Sequence, residues 1–345
     1  MPAAMSRIGS FLCALRGRLR WHCLLLLLYA PAGWAATYAL LVGVSAYPNL
    51  PASKRLEGPA NDVRLMEATL QRVGVPGDQI IVLADGLPQL RALPTRDNIF
   101  NYANVLVGRL RPGDWIVLQF SGHGSQQPQF AVANGYREPD GLDEVFLPRD
   151  AMHWDGQTRR IGNGITDDEI GALLDRINAR GANVWAIFDT CHAGDMTKNL
   201  VLGRDHPVAR YVSPAELGVP ADLLAQARNA AARAGSAKSL SVHSARAGRM
   251  ATSTSIDVPQ RVAFFASQPD EPAYEESLAS DSADSTVPAR RRIGVFTFHL
   301  VATMTETRTT FRELANQVRL RYRNEKRPFP TPMFEGELDR RMPIR

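Results

Sequence analysis

Two short polar motifs carry a thiol and an imidazole, and each motif follows a largely apolar run. Cys191 lies in Asp-Thr-Cys-His-Ala-Gly after the run 184–188, and His123 lies in Ser-Gly-His-Gly after the run 115–120. Apolar runs bounded by turn residues are typical of strands buried in a parallel sheet. Because ligands bind outside the carboxyl ends of such strands, the motifs predict a Cys191–His123 pair at one sheet edge.

Attack on a carbonyl carbon requires the thiolate of Cys191, which a neighbouring imidazolium or a helix N-terminus would favour. His123 would then protonate the leaving amine. The developing oxyanion needs backbone N–H donors, and those of Gly124 and Cys191 are the candidates, since glycine permits close approach of a substrate. These residues together predict cleavage of an amide bond by a thiol nucleophile.

Side chains alternate along a strand, which places Asp189 on the side of Cys191 and Ser121 on the side of His123. An acid beside the nucleophile is a natural contact for a basic substrate side chain. Alternatively, Asp189 makes a structural hydrogen bond or caps the next helix. His192 points to the opposite face, so it is not expected to be the base.

A zinc site and an inert buried cysteine are the alternatives for Cys191. Zinc needs about four ligands of suitable type, whereas the other histidines are scattered along the chain. Free cysteines are often buried as small apolar residues, but the polar, glycine-containing sequence after Asp189 argues against burial. The sequence therefore favours a nucleophile.

Residues 1–36 have the pattern of a secretory signal peptide. Four arginines and no acid accompany a short apolar stretch at 23–30, and small residues at 33–36 offer a cleavage site. Pro31 and Gly33 interrupt the apolar stretch well short of the roughly 20 residues of a spanning helix. Cleavage is therefore favoured over an uncleaved anchor, and a secreted or periplasmic protein without stable membrane association is expected.

Removal of this segment changes the charge and the cysteine content. The net charge of +5 falls to +1, because the four arginines leave and no acid does. This near balance gives no support to nucleic-acid binding. Two of the three cysteines also leave, so Cys191 has no partner for an intramolecular disulfide.

Strand-like and helix-like segments alternate along the chain, which predicts an α/β fold with a mostly parallel sheet flanked by helices. The expected strands are 38–45, 79–83, 115–120, 184–188 and 261–266, with short strands at 144–147 and in the Pro-rich tail. The expected helices are 60–73, 95–110, 165–180, 293–304 and 311–323. Asn61 or Asp62 is expected near the N-cap of the first helix.

The composition shifts to Ala, Ser, Arg and Gly between about 200 and 260, with few large apolar residues. Such a segment is typical of a flexible linker or processing loop. Its candidate cleavage points are Arg228, Arg233, Lys238, Arg246 and Arg249.

The two motifs resemble those of the metacaspases, a branch of the caspase-like cysteine peptidases. Further matching segments are YALLVGVSAY, LEGPANDVRLM, DGLDEVFLPRD, ITDDEI and PFPTPMFEGE. The resemblance covers about 37–335 and leaves 336–345 as a C-terminal tail. It implies a caspase-like three-layer sandwich, a His123–Cys191 dyad, polypeptide substrates and chemistry that needs no cofactor. True caspases carry Gln-Ala-Cys and cleave after Asp, and this sequence departs from them.

The resemblance also implies an acidic pocket for Arg or Lys, formed by Asp62, Ser121 and Asp189. Only the resemblance supplies Asp62, for which helix capping is the alternative. The basic linker after Lys198 resembles the self-cleaved segment of the family.

Many metacaspases are activated by calcium through clustered aspartates, and the matching residues are Asp143, Asp167 and Asp168. Their oxygen donors suit a hard cation. Acids in the first turn of a helix also suit its dipole, so capping is the alternative for Asp167 and Asp168. A further acid of the family falls near Lys198 here, where Asp195 could substitute.

The sequence thus predicts a monomeric cysteine endopeptidase that cleaves after Arg or Lys, responds to calcium and processes itself. The alternative from another class is a catalytically silent caspase-like domain used for binding or assembly. Related hydrolases with similar Cys/His edges are a narrower option, separated by substrate preference.

Overall fold

The computed structural model of the protein describes residues 35–87, 91–130, 138–191, 207–235, 260–279, 290–306, 310–327 and 330–344. The chain from Thr37 onward forms one compact unit. Nearly all of the expected signal peptide lies outside the described residues, as do His192, Asp195 and Lys198. Among the described helices, none combines the length and the apolar character needed to cross a membrane.

A six-stranded sheet in the order β14-β11-β9-β3-β1-β2 forms the centre of this unit. Five strands are parallel, and β14 is an antiparallel edge strand. This arrangement confirms the expected mostly parallel sheet. Its strands are β1 Thr37–Gly43, β2 Ile80–Ala84, β3 Trp115–Ser121, β9 Asn183–Asp189, β11 Arg261–Phe265 and β14 Met333–Gly336.

Two smaller three-stranded sheets and a hairpin complete the described strands. One sheet contains β4 Gly124–Pro128, β5 Leu142–Phe146 and β8 Ile165–Thr166. The other contains β10 Val208–Ala209, β12 Tyr274–Ala279 and β13 Arg290–Gly294. The hairpin pairs β6 Trp154–Asp155 with β7 Arg160–Ile161.

Helices cover both faces of the central sheet. They are α1 Gly58–Arg72, α2 Arg96–Arg109, α3 Asp167–Ala179, α4 Ala221–Gly235, α5 Val295–Glu306 and α6 Phe311–Asn324. Thr95, Thr166 and Thr310 cap α2, α3 and α6 by accepting a hydrogen bond from the amide three residues later. These caps explain why three helices begin close to where the sequence predicts.

The alternation of side chains in β9 divides the interior into two apolar layers. Trp185 and Ile187 pack with α1, α5 and α6 on one face, whereas Val184 and Ala186 pack with α2 and α3 on the other. Buried strands with apolar side chains on both faces require helices on both sides. The result is the three-layer sandwich expected from the sequence.

The starts of α1 and α5 each differ from the sequence prediction by two residues. The first helix begins at Gly58, with proline in its first turn, so Asp62 lies inside the helix and is not its N-cap. The helix expected from residue 293 begins at Val295, because Ile293 pairs with Glu276 in the β12–β13 ladder. Proline favours the first helical turn, which accounts for the earlier start of α1.

The segment expected to be a linker, about 200–260, contains defined structure over residues 207–235. It holds β10 and α4, and its Arg210 is fully buried. Its alanine-rich part has a high helix propensity. The helix was not predicted because the segment has few large apolar residues. Residues 207–235 therefore contain secondary structure within the segment expected to be a linker or processing loop, and the remainder lies outside the described residues.

Candidate active site

Cys191 and His123 follow neighbouring strands that end at the same level. Ser121 of β3 pairs in register with Asp189 of β9, and each motif residue lies two positions beyond its strand partner. The two motifs therefore leave the same edge of the sheet, as the sequence predicts.

The ring of His123 has a fixed tautomer. Its Nε2–H donates to the carbonyl oxygen of Lys54 at 2.8 Å, and its backbone N–H donates to the hydroxyl of Tyr47 at 2.7 Å. The other ring nitrogen, Nδ1, is buried and has no hydrogen-bond partner among the described residues. A neutral imidazole with the proton on Nε2 can accept one at Nδ1, so Nδ1 is the basic atom of this site.

The thiol of Cys191 is fully buried and contacts the backbone of Ala273. Its Sγ lies 2.9 Å from the Ala273 amide nitrogen and 3.2 Å from the carbonyl oxygen. Burial raises the pKa of Cys191 to about 12 and lowers the pKa of His123 to about 4. Both groups are therefore uncharged at neutral pH in this state.

The side chain of Arg210 fills a pocket of acids beside this pair. Its Nη2 lies 2.6 Å from Asp62 and 3.6 Å from Glu275, and its Nη1 lies 2.9 Å from Asp189. Nη1 also donates to the hydroxyl of Ser121 at 2.9 Å. All five side chains are at most 1 % exposed, so the guanidinium is fully desolvated and charge-paired.

Asp62 and Asp189 accept hydrogen bonds from other residues in addition to their contacts with the guanidinium of Arg210. Asp62 accepts hydrogen bonds from the Gly294 amide at 2.8 Å and from the Ser121 hydroxyl. Asp189 accepts from the amide and hydroxyl of Thr297 at 3.0 and 2.6 Å. Asp189 therefore makes the structural hydrogen bond expected as one alternative, at the start of α5, and it also pairs with Arg210.

The charge on Asp62 is set by two opposing influences. Burial raises its pKa to about 6, while the attraction of Arg210 acts in the opposite direction. Asp62 is therefore ionised at neutral pH. Burial also raises the pKa of Glu275, against the same attraction and two backbone hydrogen bonds.

Glycines form two walls of the pocket. A Cβ atom at Gly294 would overlap Asp189 Oδ2 and lie 2.7 Å from Arg210 Nη1. A Cβ atom at Gly58 would lie 2.5 Å from Arg210 Nη2 and 2.6 Å from Glu275 Oε2. Such contacts are too close for any other residue, so the pocket requires glycine at both positions.

The backbone of Arg210 is bound as firmly as its side chain. Its carbonyl oxygen accepts hydrogen bonds from the amides of Gly124 at 3.0 Å and Cys191 at 3.4 Å, and its N–H donates to the Ala273 carbonyl at 3.0 Å. Just before it, Val208–Ala209 pairs antiparallel with β12. The carbonyl oxygen of Arg210 thus accepts from the two amides that are expected to hold an oxyanion. The residues just before Arg210 add a strand beside β12.

The structure brings together six residues that the sequence predicts for this site. They are His123, Cys191, Gly124, Ser121, Asp189 and, through the resemblance, Asp62. The sequence prediction misses Arg210, Glu275 and Ala273. None of these three belongs to a motif, and they reach the site only because distant loops converge there. Arg210 was not among the candidate cleavage points.

The predicted metal ligands are divided by the structure. Asp167 joins Glu138 and Glu144 in a group whose oxygen atoms lie within 4.8 Å of one another. Burial raises the pKa of Asp167 well above its usual range, and the neighbouring acids Glu138, Asp143 and Asp168 raise it further. Glu138 and Glu144 are ligand candidates that the sequence did not assign.

The carboxylates of Glu138, Glu144 and Asp167 are oxygen donors of the kind that a hard divalent cation prefers, and Asp143 is a further acid near them. Burial, with repulsion by Asp168 and Glu138, raises the pKa of Asp143 to about 7, and its Oδ1 is buried with no hydrogen-bond partner among the described residues. Calcium prefers such oxygen donors. Asp167 and Asp168 also lie in the first turn of α3, where their charges suit the helix dipole, while Thr166 and Glu169 form the capping box.

Comparison with known proteins agrees with this geometry. Residues 38–199 match the family model described as metacaspase, peptidase C14 domain. Metacaspase-1 of Candida albicans is 34 % identical over 159 residues, which are 46 % of this chain and 33 % of that protein. Metacaspase-3 of Trypanosoma cruzi is 33 % identical over 170 residues, which are 48 % of this chain and 43 % of that protein. The match thus spans about a third to two-fifths of these relatives.

A solved structure extends the likeness of the fold beyond the matched segment. A crystal structure of a Geobacter sulfurreducens protein has a TM-score of 0.52 at 19 % identity, covering 87 % of this chain and 93 % of that one. At this identity the likeness concerns the fold alone. Residues 38–199, just under half of the chain, are thus similar to the peptidase C14 domain of the metacaspases.

Proposed function

We propose that the protein is a cysteine endopeptidase that cleaves peptide bonds after Arg or Lys. The position of Arg210 carries this proposal. Its side chain is paired with Asp62 and Asp189, while its carbonyl oxygen accepts hydrogen bonds from Gly124 and Cys191. A residue bound in this way occupies the place of the substrate residue whose carbonyl is attacked.

In the proposed reaction, Nδ1 of His123 takes the thiol proton of Cys191, and the thiolate attacks the substrate carbonyl carbon. The amides of Gly124 and Cys191 stabilise the oxyanion. The imidazolium then protonates the leaving amine as the carbon–nitrogen bond breaks, and a thioester forms. Water, deprotonated by His123, hydrolyses the thioester and regenerates the thiol.

The acids around the pocket select the charge of the substrate side chain. An arginine presents a planar fork that matches two carboxylates, whereas a lysine presents a single compact charge. Asp62 and Asp189 lie within 3 Å of different guanidinium nitrogens. We therefore expect Arg to be preferred over Lys, and Asp to be excluded by repulsion.

The first substrate of this site is the protein's own Arg210–Tyr211 bond. While the bond is intact, the segment fills the pocket, and Cys191, whose amide donates to the Arg210 carbonyl, is fully buried. Hydrolysis would generate a fragment that ends at Arg210 and another that begins at Tyr211. Self-processing is thus proposed at Arg210, upstream of the cleavage points suggested by composition.

Calcium is proposed as an activator, held by Glu138, Glu144 and Asp167 with support from Asp143. Glu144 lies in β5, which pairs with β4, and β4 begins at Gly124. A cation at this group would neutralise the mutual repulsion of the acids and stiffen the strand that carries an oxyanion donor. The bound ion supplies charge and takes no part in the chemistry.

A secreted or periplasmic location is also part of the proposal, supported by the signal-peptide pattern of residues 1–36. Fractionation of expressing cells and N-terminal sequencing of the mature protein test it. A protein retained in the cytoplasm with an intact N-terminus would overturn it.

The test of the activity is hydrolysis of paired fluorogenic peptides ending in Arg and in Asp, with calcium and with chelator. We expect cleavage after Arg that Cys191→Ala abolishes. Cleavage after Asp would overturn the assignment of the pocket. If neither peptide is cleaved and Cys191 does not react with a thiol-directed electrophile, the catalytically silent binding domain replaces the peptidase.

A further inference from the structure

A polar hollow of about 720 Å³ lies beside the segment that precedes Arg210. Val208 lines it on one side. Its other walls include four arginines: Arg55, Arg290, Arg291 and Arg292. The reaction described above uses none of these four side chains.

The pairing of strands places this hollow next to one defined position of the bound segment. Val208 lies opposite Glu275 in β12. Further along β12, Ser277 lies opposite Arg292 in β13, and Ala279 lies opposite Arg290. Directly paired residues share a face, and alternate residues of a strand share it too. The side chains of Val208, Arg290 and Arg292 therefore lie on one face of this sheet.

Ala209 has the opposite orientation. It pairs with Tyr274, one residue before Glu275, so its side chain lies on the other face of the sheet. The hollow is thus specific to the third residue counted back from the bond after Arg210. The second residue has no access to it.

The charge of the hollow is positive. Among the described residues of its wall, two are acids, Glu57 and Glu275, and four are arginines. Glu275 is already engaged, since it lies 3.6 Å from Arg210 and accepts hydrogen bonds from the amides of Glu57 and Gly58, each at 3.0 Å. An arginine carries five N–H donors, so Arg290, which contacts the Ser277 carbonyl, retains donors for a further group.

We propose that this hollow is the subsite for the third residue before the cleaved bond, and that it selects an acidic side chain there. This inference rests on the proposed peptidase function and names a finer substrate class, Asp or Glu at the third position with Arg at the first. Val208 is short and apolar, so the protein's own segment makes no use of the arginines. An external substrate with an acid at that position binds better than the internal one.

Three peptides test the selection: Val-Ala-Arg, Glu-Ala-Arg and Lys-Ala-Arg, each with a fluorogenic leaving group, with the self-processed protein. We expect kcat/KM for the Glu peptide to exceed that for the Val peptide by about 5- to 20-fold at low salt, as for several exposed charge pairs acting together. The Lys peptide should be the poorest. Because the hollow is open to solvent, the differences should shrink at high ionic strength.

Arg290→Glu should abolish most of the preference for the Glu peptide over the Lys peptide, because it changes the described wall from four arginines and two acids to three of each. Arg109→Glu is the matched control, because it makes the same charge change at an exposed site on α2, and it should leave the preference as in the parent protein. Equal rates for the three peptides at low salt, or an unchanged preference in Arg290→Glu, would overturn the subsite.

The protein's own segment provides a second test that needs no added peptide. Val208→Glu should speed self-cleavage after Arg210, whereas Ala209→Glu, on the other face, should not. Cleavage of none of the peptides would count against the proposed peptidase itself. Cleavage of the Val peptide without acid selection would count against the subsite alone, so the two failures are distinguishable.

Discussion

The carbonyl oxygen of Arg210 lies 3.0 Å from the amide nitrogen of Gly124, within hydrogen-bond distance. Gly124 directly follows His123, and a Cβ atom at this position would overlap the carbonyl of Cys191. The glycine thus allows the two motifs to approach closely enough for their amides to share one acceptor. The acceptor in this state belongs to the protein itself.

Replacement of Arg210 should prevent self-processing. Arg210→Ala is expected to abolish the fragment that begins at Tyr211, and Arg210→Lys should slow its appearance, because lysine lacks the bidentate fork. Intact-mass measurement after incubation detects the fragments. Arg228→Ala, at an exposed position of α4, is the control and should be processed like the parent. A fragment beginning elsewhere would contradict the assignment.

The same substitution leaves buried acids without their partner. Arg210→Ala should lower the free energy of unfolding by about 3–5 kcal/mol, the usual effect of removing one partner from a buried charge group. Urea unfolding of Cys191→Ala, which is not processed, gives the reference, and Cys191→Ala with Arg210→Ala gives the variant. A stability equal to the reference would mean that the pocket acids take up protons or water without cost.

The thiol should be unreactive before processing. Burial raises the pKa of Cys191 from its ordinary value of 9.0 to about 12, so at pH 7.5 its thiolate fraction should be about a thousandfold below that of an ordinary cysteine. Iodoacetamide labelling of the Cys191 peptide, followed by mass spectrometry, measures this. Labelling should become faster after processing. Equal rates before and after would show that the segment does not cover the thiol.

Self-cleavage after Arg210 should slow as the pH falls through about 6. With Arg210 in the pocket, the pKa of Asp62 is about 6, so its negative charge, and the attraction for the guanidinium, is present above that pH and lost below it. In the same state the pKa of His123 is about 4, so its ring stays neutral across this range. A plot of the self-cleavage rate against pH should therefore show an acid limb that reports Asp62.

Asp62→Asn should lose about 2–5 kcal/mol of interaction with a basic side chain, as for a buried charge pair that loses one partner. Its acid limb should move to lower pH. Asp78→Asn, an exposed acid, should keep the parent profile. A limb that remains near pH 6 in Asp62→Asn would assign it to another group.

A methyl group on the pocket wall should exclude arginine. Gly294→Ala places a Cβ atom against Asp189 Oδ2 and Arg210 Nη1, an overlap that costs about 1–3 kcal/mol if the structure adjusts. Self-cleavage should then be lost or strongly slowed. Gly108→Ala is the control, because nothing lies within 4 Å of its added Cβ. Normal processing of Gly294→Ala would mean that the wall moves freely.

Calcium should raise both the Tm and the rate of self-processing if Glu138, Glu144 and Asp167 bind it. Glu144→Gln should remove most of both responses, since it replaces a charged donor. Asp97→Asn, an exposed acid on α2, should respond like the parent. A calcium response that survives Glu144→Gln would place the ion elsewhere.

The central sheet and the two motifs were predictable because their residues carry strong local patterns. Val184–Phe188 is apolar throughout, and such a run has one natural place in an α/β fold. The β4 strand was not predictable, since Gln126 and Gln127 are buried there. One of them is held by the Ile161 amide, which donates to Gln127 Oε1 at 2.9 Å, and such contacts leave no trace in hydropathy.

The pocket shows the same limit. Asp62 and Asp189 were identified by a resemblance and by strand alternation, but nothing in either neighbourhood indicates that Arg210 would lie between them. Its burial depends on Glu275, Gly58 and Gly294, which belong to other segments of the chain. Long-range charge pairing of this kind follows from the folded arrangement, and short windows of sequence do not report it.

Because Arg210 and Cys191 belong to the same chain, any other peptide must compete with Arg210 for the site. Arg210 follows Cys191 by 19 positions in the same chain, and a group on so short a tether has an effective concentration on the order of millimolar. A free peptide at micromolar concentration therefore competes with Arg210 of the same chain, whose effective concentration is roughly a thousandfold higher. The delay before external substrates are cut should be independent of protein concentration, because the event that ends it occurs within one molecule.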